Sequence, residues 1–124
     1  MANNADLENA YGDSVARIAH SLVTSNGYSS VLAATTGFGK DIIPRLGGLL
    51  DVQPITDVIE IVDKGAKFKR PVYAGNAIAT VSTIDEIKLL TVRPTNFEKQ
   101  AEGDSSASTE NVTVDMADIK GKWI

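Results

Sequence analysis

The residues most suggestive of chemistry form a glycine-containing turn, Thr35–Lys40, with the sequence Thr-Thr-Gly-Phe-Gly-Lys. Backbone amides in such a turn, at the start of a helix, attract phosphate groups. A phosphate-binding P-loop would need glycine at Ala34 and a hydroxyl residue at Asp41, whose carboxylate repels phosphate. A dinucleotide fingerprint would need a third glycine at Ile42. We therefore interpret the turn as a tight strand-to-helix connection, and a small adenine-nucleotide or phosphate-binding module stays as the alternative function.

The other reactive side chains are few and poorly placed for catalysis. His20 is the single histidine and lies beside the apolar stripe of a predicted helix, where solvent is its expected partner. Acidic pairs occur in a turn at Asp85–Glu86 and in a polar loop at Glu102 and Asp104, without the fixed, dry surroundings that a catalytic carboxylate needs. The basic stretch Lys67–Arg70 is typical of a solvated edge strand. We therefore assign no catalytic, cofactor-binding or metal-binding residue.

The composition predicts one globular domain and excludes several classes of protein. The chain has 124 residues, of which 43% are apolar, and 12 Lys and Arg against 16 Asp and Glu. Its basic residues are scattered and its net charge is -4, which argues against binding to nucleic acid. The absence of cysteine excludes disulfides, thiolate metal sites and a catalytic thiol. No apolar run approaches the ~20 residues that would insert into a membrane, and the start, Met1–Asn4, has no features of a secretion signal.

The first helix is predicted over Asp13–Ser25 because its apolar residues recur on one face. This stripe consists of Val15, Ile18, Ala19, Leu22 and Val23. Asp13 or Ser14 can cap the first amides, and Asn26–Gly27 supplies the left-handed residue that ends a helix.

A second helix is predicted from about Asp41 to Leu50. Pro44 limits its start, since proline fits best in the first turn of a helix, where its missing N–H costs nothing. Gly47–Gly48 lowers the helix propensity, so we expect another part of the backbone to pack closely there.

Four strand-length segments follow, rich in Val, Ile and Thr and separated by turns, which predicts a largely antiparallel run. They are Ile55–Val62, Lys67–Tyr73, Asn76–Ile84 and Ile87–Arg93. Gly75 lies in one of the turns, where we expect left-handed backbone or a close approach of another chain segment. The polar segment Lys99–Asn111 is predicted to be a mobile loop, and Asn111–Met116 could return as a short edge strand.

Several blocks of the sequence together resemble the N-terminal domain of the electron transfer flavoprotein alpha subunit. They are Ala33–Leu46, Pro54–Ile59, Arg70–Val81 with its Tyr-Ala-Gly-Asn-Ala motif, and Thr91–Phe97 followed by a Ser/Ala-rich stretch. The order and spacing of the blocks are also similar, and the resemblance extends from about Leu7 to Asp115.

The resemblance implies the α/β class, with a Rossmann-like three-layer domain in which parallel strands precede a largely antiparallel strand run. Residues 1–116 would form part of the N-terminal domain, including the mobile Ser/Ala-rich loop at about 99–111. Residues 117–124 would begin the linker to a C-terminal FAD-binding domain that is not in this chain. The first βα units of the family's domain would also lie outside it.

The resemblance implies a function for the parent protein as well. It would be half of an alpha/beta heterodimer that accepts electrons from acyl-CoA dehydrogenases and related flavoenzymes of fatty acid β-oxidation and passes them to a membrane quinone oxidoreductase. FAD would belong to the absent C-terminal domain, so we expect this chain to bind none and to serve as the structural domain that contacts the beta subunit. The expected location is the mitochondrial matrix in a eukaryote and otherwise the bacterial cytoplasm.

The segment Tyr28–Thr35 reads as a strand that is apolar on both faces, as in the interior of a parallel sheet. In the family, strands that would flank it belong partly to the absent βα units. We therefore expect an open strand edge and an uncovered apolar face, which favour self-association unless the beta subunit or a rearranged strand covers them.

Overall fold

The computed structural model describes residue 7, residues 11–103 and residues 106–113. It contains two helices, α1 (Gly12–Asn26) and α2 (Gly37–Leu50). The strands are β1 (Ser30–Ala34), β2 (Ile55–Val58), β3 (Glu60–Val62), β4 (Lys67–Val72), β5 (Ala77–Val81) and β6 (Lys88–Val92). The α/β class is confirmed, and none of the helices in these ranges is long and apolar enough to cross a membrane.

Of the apolar stripe predicted for helix α1, Ile18 and Val23 are buried and the other three residues are partly buried. Ala16, which is not part of the predicted stripe, is also buried. It ends at Gly27, whose φ of 66° is the expected left-handed value. The prediction that Asp13 or Ser14 caps its start is wrong. The N-cap residue is Tyr11, and its side chain makes no capping hydrogen bond to the helix. Instead, the carboxylate of Asp41 in α2 accepts a hydrogen bond from the Gly12 N–H at 3.0 Å.

Helix α2 begins at Gly37, earlier than the predicted start near Asp41. The Thr36 hydroxyl accepts a hydrogen bond from the Gly39 N–H at 3.2 Å, and this cap lets the glycines wind into the first turn. Pro44 consequently lies inside the helix, so the expectation that it marks the first turn is wrong. The packing of this helix therefore outweighs the local preference of proline.

The two sheets differ from the predicted antiparallel run. Strands β1, β6 and β2 form a parallel sheet in that order, and β3, β4 and β5 form an antiparallel sheet. The expectation that Ile87–Arg93 continues the antiparallel run is therefore wrong. Strand β6 occupies the middle of the parallel sheet, because Leu89, Leu90 and Thr91 are each buried and a strand buried on both faces suits that position.

The core consists of two clusters on opposite faces of the parallel sheet. The helix-side cluster contains Ala16, Ile42, Ile43, Leu46 and Leu89. The cluster on the other face contains Ile55, Val58, Phe68 and Leu90, where the antiparallel sheet packs. The described chain thus has three layers, namely helices, parallel sheet and antiparallel sheet.

Strand β1 lies at the edge of the parallel sheet, not in its interior. It pairs with β6 on one side, and no strand in the described part of the chain pairs with its other side. Leu32, at the centre of the strand, is 53% exposed. The expected open edge and uncovered apolar side chain are therefore present in the described region.

The glycine predictions have mixed outcomes. Gly75 has a φ of +90°, as expected for its turn. At Gly47 a Cβ would lie 2.9 Å from the Val52 carbonyl oxygen and 3.0 Å from Pro54 Cδ, which confirms the close approach. Gly48 has nothing within 4 Å of a Cβ, so the same expectation is wrong there.

Two predictions concern the C-terminal part of the chain. The described residues of 99–111 contain no helix or strand. In the predicted strand Asn111–Met116, Val112 makes a single isolated bridge, and residues 114–116 lie outside the described residues.

Candidate functional site

The carboxyl ends of the parallel strands β1, β6 and β2 meet at one edge of the sheet, which is where open α/β sheets place their ligands. This edge collects polar side chains in an otherwise apolar region. They are Thr35 and Thr36 after β1, Asp57 in β2, Thr91 in β6 and Arg93 after β6. We treat this carboxyl edge as the candidate site.

An ion pair between Asp57 and Arg93 forms the centre of the edge. Arg93 donates from Nε at 2.8 Å and from Nη2 at 2.6 Å to the two carboxylate oxygens of Asp57. Asp57 has a left-handed φ of 61°, and its N–H donates to the Thr91 hydroxyl at 2.8 Å. The Arg93 N–H donates to the Val58 carbonyl oxygen at 2.8 Å, so the pair fixes the ends of β2 and β6 against each other. Because the charges neutralise one another in a bidentate pair, this arrangement suits positioning better than acid-base chemistry.

Arg70 connects the antiparallel sheet to the same edge. Its Nε donates to the Thr56 carbonyl oxygen at 2.9 Å, and its Nη2 donates to the Thr56 hydroxyl at 3.3 Å. The interpretation of Lys67–Arg70 as a solvated edge strand is wrong, since β4 is the middle strand of its sheet and Phe68 is 1% exposed. The two lysines of the stretch do face solvent, where each pairs with an acidic side chain.

The glycine-containing turn Thr35–Lys40 starts α2 and offers few free donors. The Gly39 N–H bonds the Thr36 hydroxyl and the Lys40 N–H bonds the Thr36 carbonyl oxygen. The Thr35 hydroxyl is buried and has no partner among the described residues. A Cβ at Gly39 would collide with the Ala34 carbonyl oxygen, so this glycine serves the approach of helix to strand. The turn therefore acts as a connection, as interpreted from the sequence.

A shallow open groove of about 570 Å³ lies at the opposite end of α2. Its lining includes Gly47, Gly48, Asp51, Pro54 and Asp85. Asp85 already accepts hydrogen bonds from the Gln53 N–H at 3.0 Å and the Thr83 hydroxyl at 2.9 Å. Its carboxylate therefore holds a turn in place.

Comparison with known proteins decides the family. The family model described as the electron transfer flavoprotein domain matches residues 1–118. The chain belongs to this family. The probable electron transfer flavoprotein subunit alpha, mitochondrial, of Cryptococcus neoformans is 36% identical over an alignment of 126 positions, which covers 100% of this chain and 36% of the relative.

Other relatives carry the same description. The electron transfer flavoprotein subunit alpha of Pseudomonas aeruginosa is 42% identical over 113 residues, covering 91% of this chain and 36% of the relative. The probable mitochondrial alpha subunit of Saccharomyces cerevisiae is 37% identical over 105 residues, covering 83% of this chain and 30% of the relative. The chain spans about a third of the length of these relatives.

The remaining reactive side chains that the sequence singled out do not converge. His20 is half-buried on α1, and its carbonyl oxygen accepts a bond from the Thr24 hydroxyl. Glu86 and Glu102 are exposed, and Asp104 lies outside the described residues. Within the described ranges, no three His, Cys, Asp or Glu side chains cluster in a way that could hold a metal ion.

Sequence reasoning missed the Asp57, Thr91 and Arg93 network of this electron transfer flavoprotein domain. Asp57 and Arg93 are 36 positions apart, and each lies in a segment that reads as an ordinary strand. The one available signal was a charged residue within each of two apolar strands. Only the parallel pairing of β2 with β6 brings the two together.

Proposed function

We propose that the chain is the structural N-terminal domain of an electron transfer flavoprotein alpha subunit and that it packs against the beta subunit of a heterodimer. The observation that carries this is the family match over residues 1–118, together with alpha-subunit relatives along nearly the whole chain. The bidentate Asp57–Arg93 pair and the Arg70 bonds support a structural role, because they hold the strands together and engage the charged groups of all three side chains.

The domain boundaries follow from the same proposal. Residues 1–116 belong to the N-terminal domain in this proposal, and residues 117–124 begin the linker to an FAD-binding domain. This chain contributes no catalytic, cofactor-binding or metal-binding residue.

The whole protein shuttles electrons from acyl-CoA dehydrogenases and related flavoenzymes to a membrane quinone oxidoreductase, in the mitochondrial matrix of a eukaryote or in the bacterial cytoplasm. It is a carrier, and its FAD supplies the redox chemistry.

The described residues do not fit FAD. The groove at the end of α2 holds the carboxylates of Asp51 and Asp85, which oppose a diphosphate. At the other end of α2, two amides are already bonded and Asp41 adds a further carboxylate. No step of electron transfer is therefore assigned to this chain, and the alternative function as a nucleotide or phosphate module gains no supporting observation.

Two measurements on the full chain test this function. Coexpression with the beta subunit of the same organism should yield a complex of one copy each on gel filtration. The chain purified alone and incubated with FAD should show no flavin absorbance after gel filtration. A stoichiometric flavin spectrum, or a chain that fails to bind the beta subunit, would contradict the proposal.

A further inference from the structure

The antiparallel sheet contains two hairpin turns with the same backbone. In the turn between β3 and β4, Asp63, Lys64 and Gly65 have φ values of 53°, 53° and 86°. In the turn between β4 and β5, Tyr73, Ala74 and Gly75 have values of 51°, 55° and 90°. The residue after each turn donates its N–H to the carbonyl oxygen of the first turn residue, at 3.0 Å and 3.1 Å. The two turns therefore make the same conformational demands.

The sequences of the two turns nevertheless differ in kind. Asp63 suits left-handed backbone, because a short polar side chain lowers its cost, and it also pairs with Lys67 at 3.2 Å. Tyr73 and Ala74 have no such compensation. Since the first turn shows that a polar sequence satisfies this backbone, the conformation of the turn does not explain the tyrosine. Backbone strain of this kind is concentrated at functional sites.

The second turn presents its side chains to solvent. Tyr73 is 82% exposed and Ile78, at the start of β5, is 62% exposed. No charged residue occurs in Pro71–Val81, although 23% of the chain is charged. A protruding aromatic side chain within an uncharged segment is typical of the centre of a protein interface.

The turn is also held rigidly. Asn76 donates to the Tyr73 carbonyl oxygen from its N–H at 3.1 Å and from Nδ2 at 2.9 Å. Below the turn, Arg70 bonds β4 to Thr56 in the parallel sheet. An anchor that is fixed before binding loses little conformational entropy when it docks.

We propose that the Tyr73 hairpin, defined as residues 71–78, is a docking element whose Tyr73 ring enters an apolar pocket on the beta subunit. This inference rests on the proposed function for its partner. A protein partner is favoured over a lipid surface because membrane-bound loops and helices use Lys and Arg beside their apolar residues, and residues 71–78 contain neither.

The test uses the full chain, the beta subunit and a variant whose β4–β5 turn copies the β3–β4 turn. The double substitution Tyr73→Asp and Ala74→Lys creates the sequence Asp-Lys-Gly, which this chain already folds at the same φ values. We expect the affinity for the beta subunit, measured by calorimetry, to fall by at least about tenfold, the loss typical of a buried anchor. The thermal midpoint should not fall. The matched control Lys64→Ala should leave the affinity within about twofold.

The outcomes separate the two proposals. If the wild-type chain binds the beta subunit and the double variant binds equally well, the docking hairpin is wrong and the proposed function stands. If the wild-type chain does not bind, both are overturned. Self-association of the chain that is lost in the double variant, without an effect on the beta subunit, would identify a second copy as the occupant and overturn the inference. If the double variant proves less stable than the wild type, Tyr73→Ser takes its place, and the same loss of about tenfold in affinity for the beta subunit is expected.

Discussion

At the scale of single residues, the buried Thr91 hydroxyl determines how β2 ends. It accepts the N–H of Asp57, which turns left-handed at this point, and so allows the Asp57 carboxylate to meet Arg93. A valine would fill the same space but would leave the amide without its acceptor.

Thr91→Val is therefore expected to destabilise the protein by roughly 1 kcal/mol, the lower end of the cost of an unpaired buried donor, because the Asp57 N–H is only partly buried. Chemical denaturation of the wild-type and variant chains measures this difference. Thr80→Val, at an exposed position of β5, is the control and should change the stability little. Equal stability of Thr91→Val and the wild type would contradict the role of the hydroxyl.

The ionisation of Asp13 is coupled to folding. Its hydrogen bond from Arg45 at 2.7 Å, together with the nearby Arg17, holds the pKa of its carboxyl below the ordinary value. A group whose pKa falls on folding stabilises the native state above its unfolded pKa, and this stabilisation disappears as the pH falls through the folded value.

We therefore expect the thermal midpoint of Asp13→Asn to lie below that of the wild type near pH 7. The gap should begin to narrow as the pH falls below about 4, the ordinary pKa of an aspartate carboxyl. It should disappear only when the pH has also fallen through the lower pKa that Asp13 has in the folded protein. Because the pair is partly exposed, the gap should be small and should shrink at high salt. A difference in thermal midpoint that grows as the pH falls would contradict the lowered pKa of Asp13.

At the scale of elements, the contact between α2 and β1 depends on one glycine. Gly39 lies so close to the Ala34 carbonyl oxygen that any Cβ would collide with the backbone. Gly48 lies in the same helix with open space around it. The two positions therefore form a matched pair.

Gly39→Ala should destabilise the protein by about 1–3 kcal/mol through overpacking. Gly48→Ala should instead stabilise it by up to about 1 kcal/mol, because alanine favours the helix. Thermal and denaturant unfolding of both variants measure the contrast. If both variants lost a similar amount of stability, the close approach would not be specific to Gly39.

At the scale of the whole molecule, the parallel sheet has an open edge at β1. In the described region β1 carries no charge and no proline, which are the usual protections of an exposed edge, and its Leu32 is half-exposed. Antiparallel pairing of two copies of one strand is self-complementary about a two-fold axis.

The chain alone is therefore expected to associate with itself as its concentration rises, and Leu32→Lys should weaken this association. Light scattering over a concentration series is the measurement. Ile84→Lys, which alters an exposed apolar residue outside the strands, is the control. A chain that stays monomeric at high micromolar concentration would contradict association through the open edge.

The sequence by itself determined the local features. The apolar period of α1, the glycine at its end and the turn at Gly75 follow from steric and propensity rules that act over a few residues. The family also follows from the sequence, because the blocks between Ala33 and Phe97 keep their order and spacing.

The tertiary structure alone decided which strands are neighbours. β6 reads as the last strand of an antiparallel run, yet it inserts between β1 and β2, because burial of Leu89 on one face and Leu90 on the other outweighs pairing with the preceding strand in sequence. The start of α2 and the Asp57–Arg93 pair depend on the same assembly. The contact between Asp57 and Arg93 spans 36 positions and forms only after the layers pack, so no local pattern carries it. The Thr36 cap is a local signal, but it is the packing of α2 that lets it outweigh Pro44.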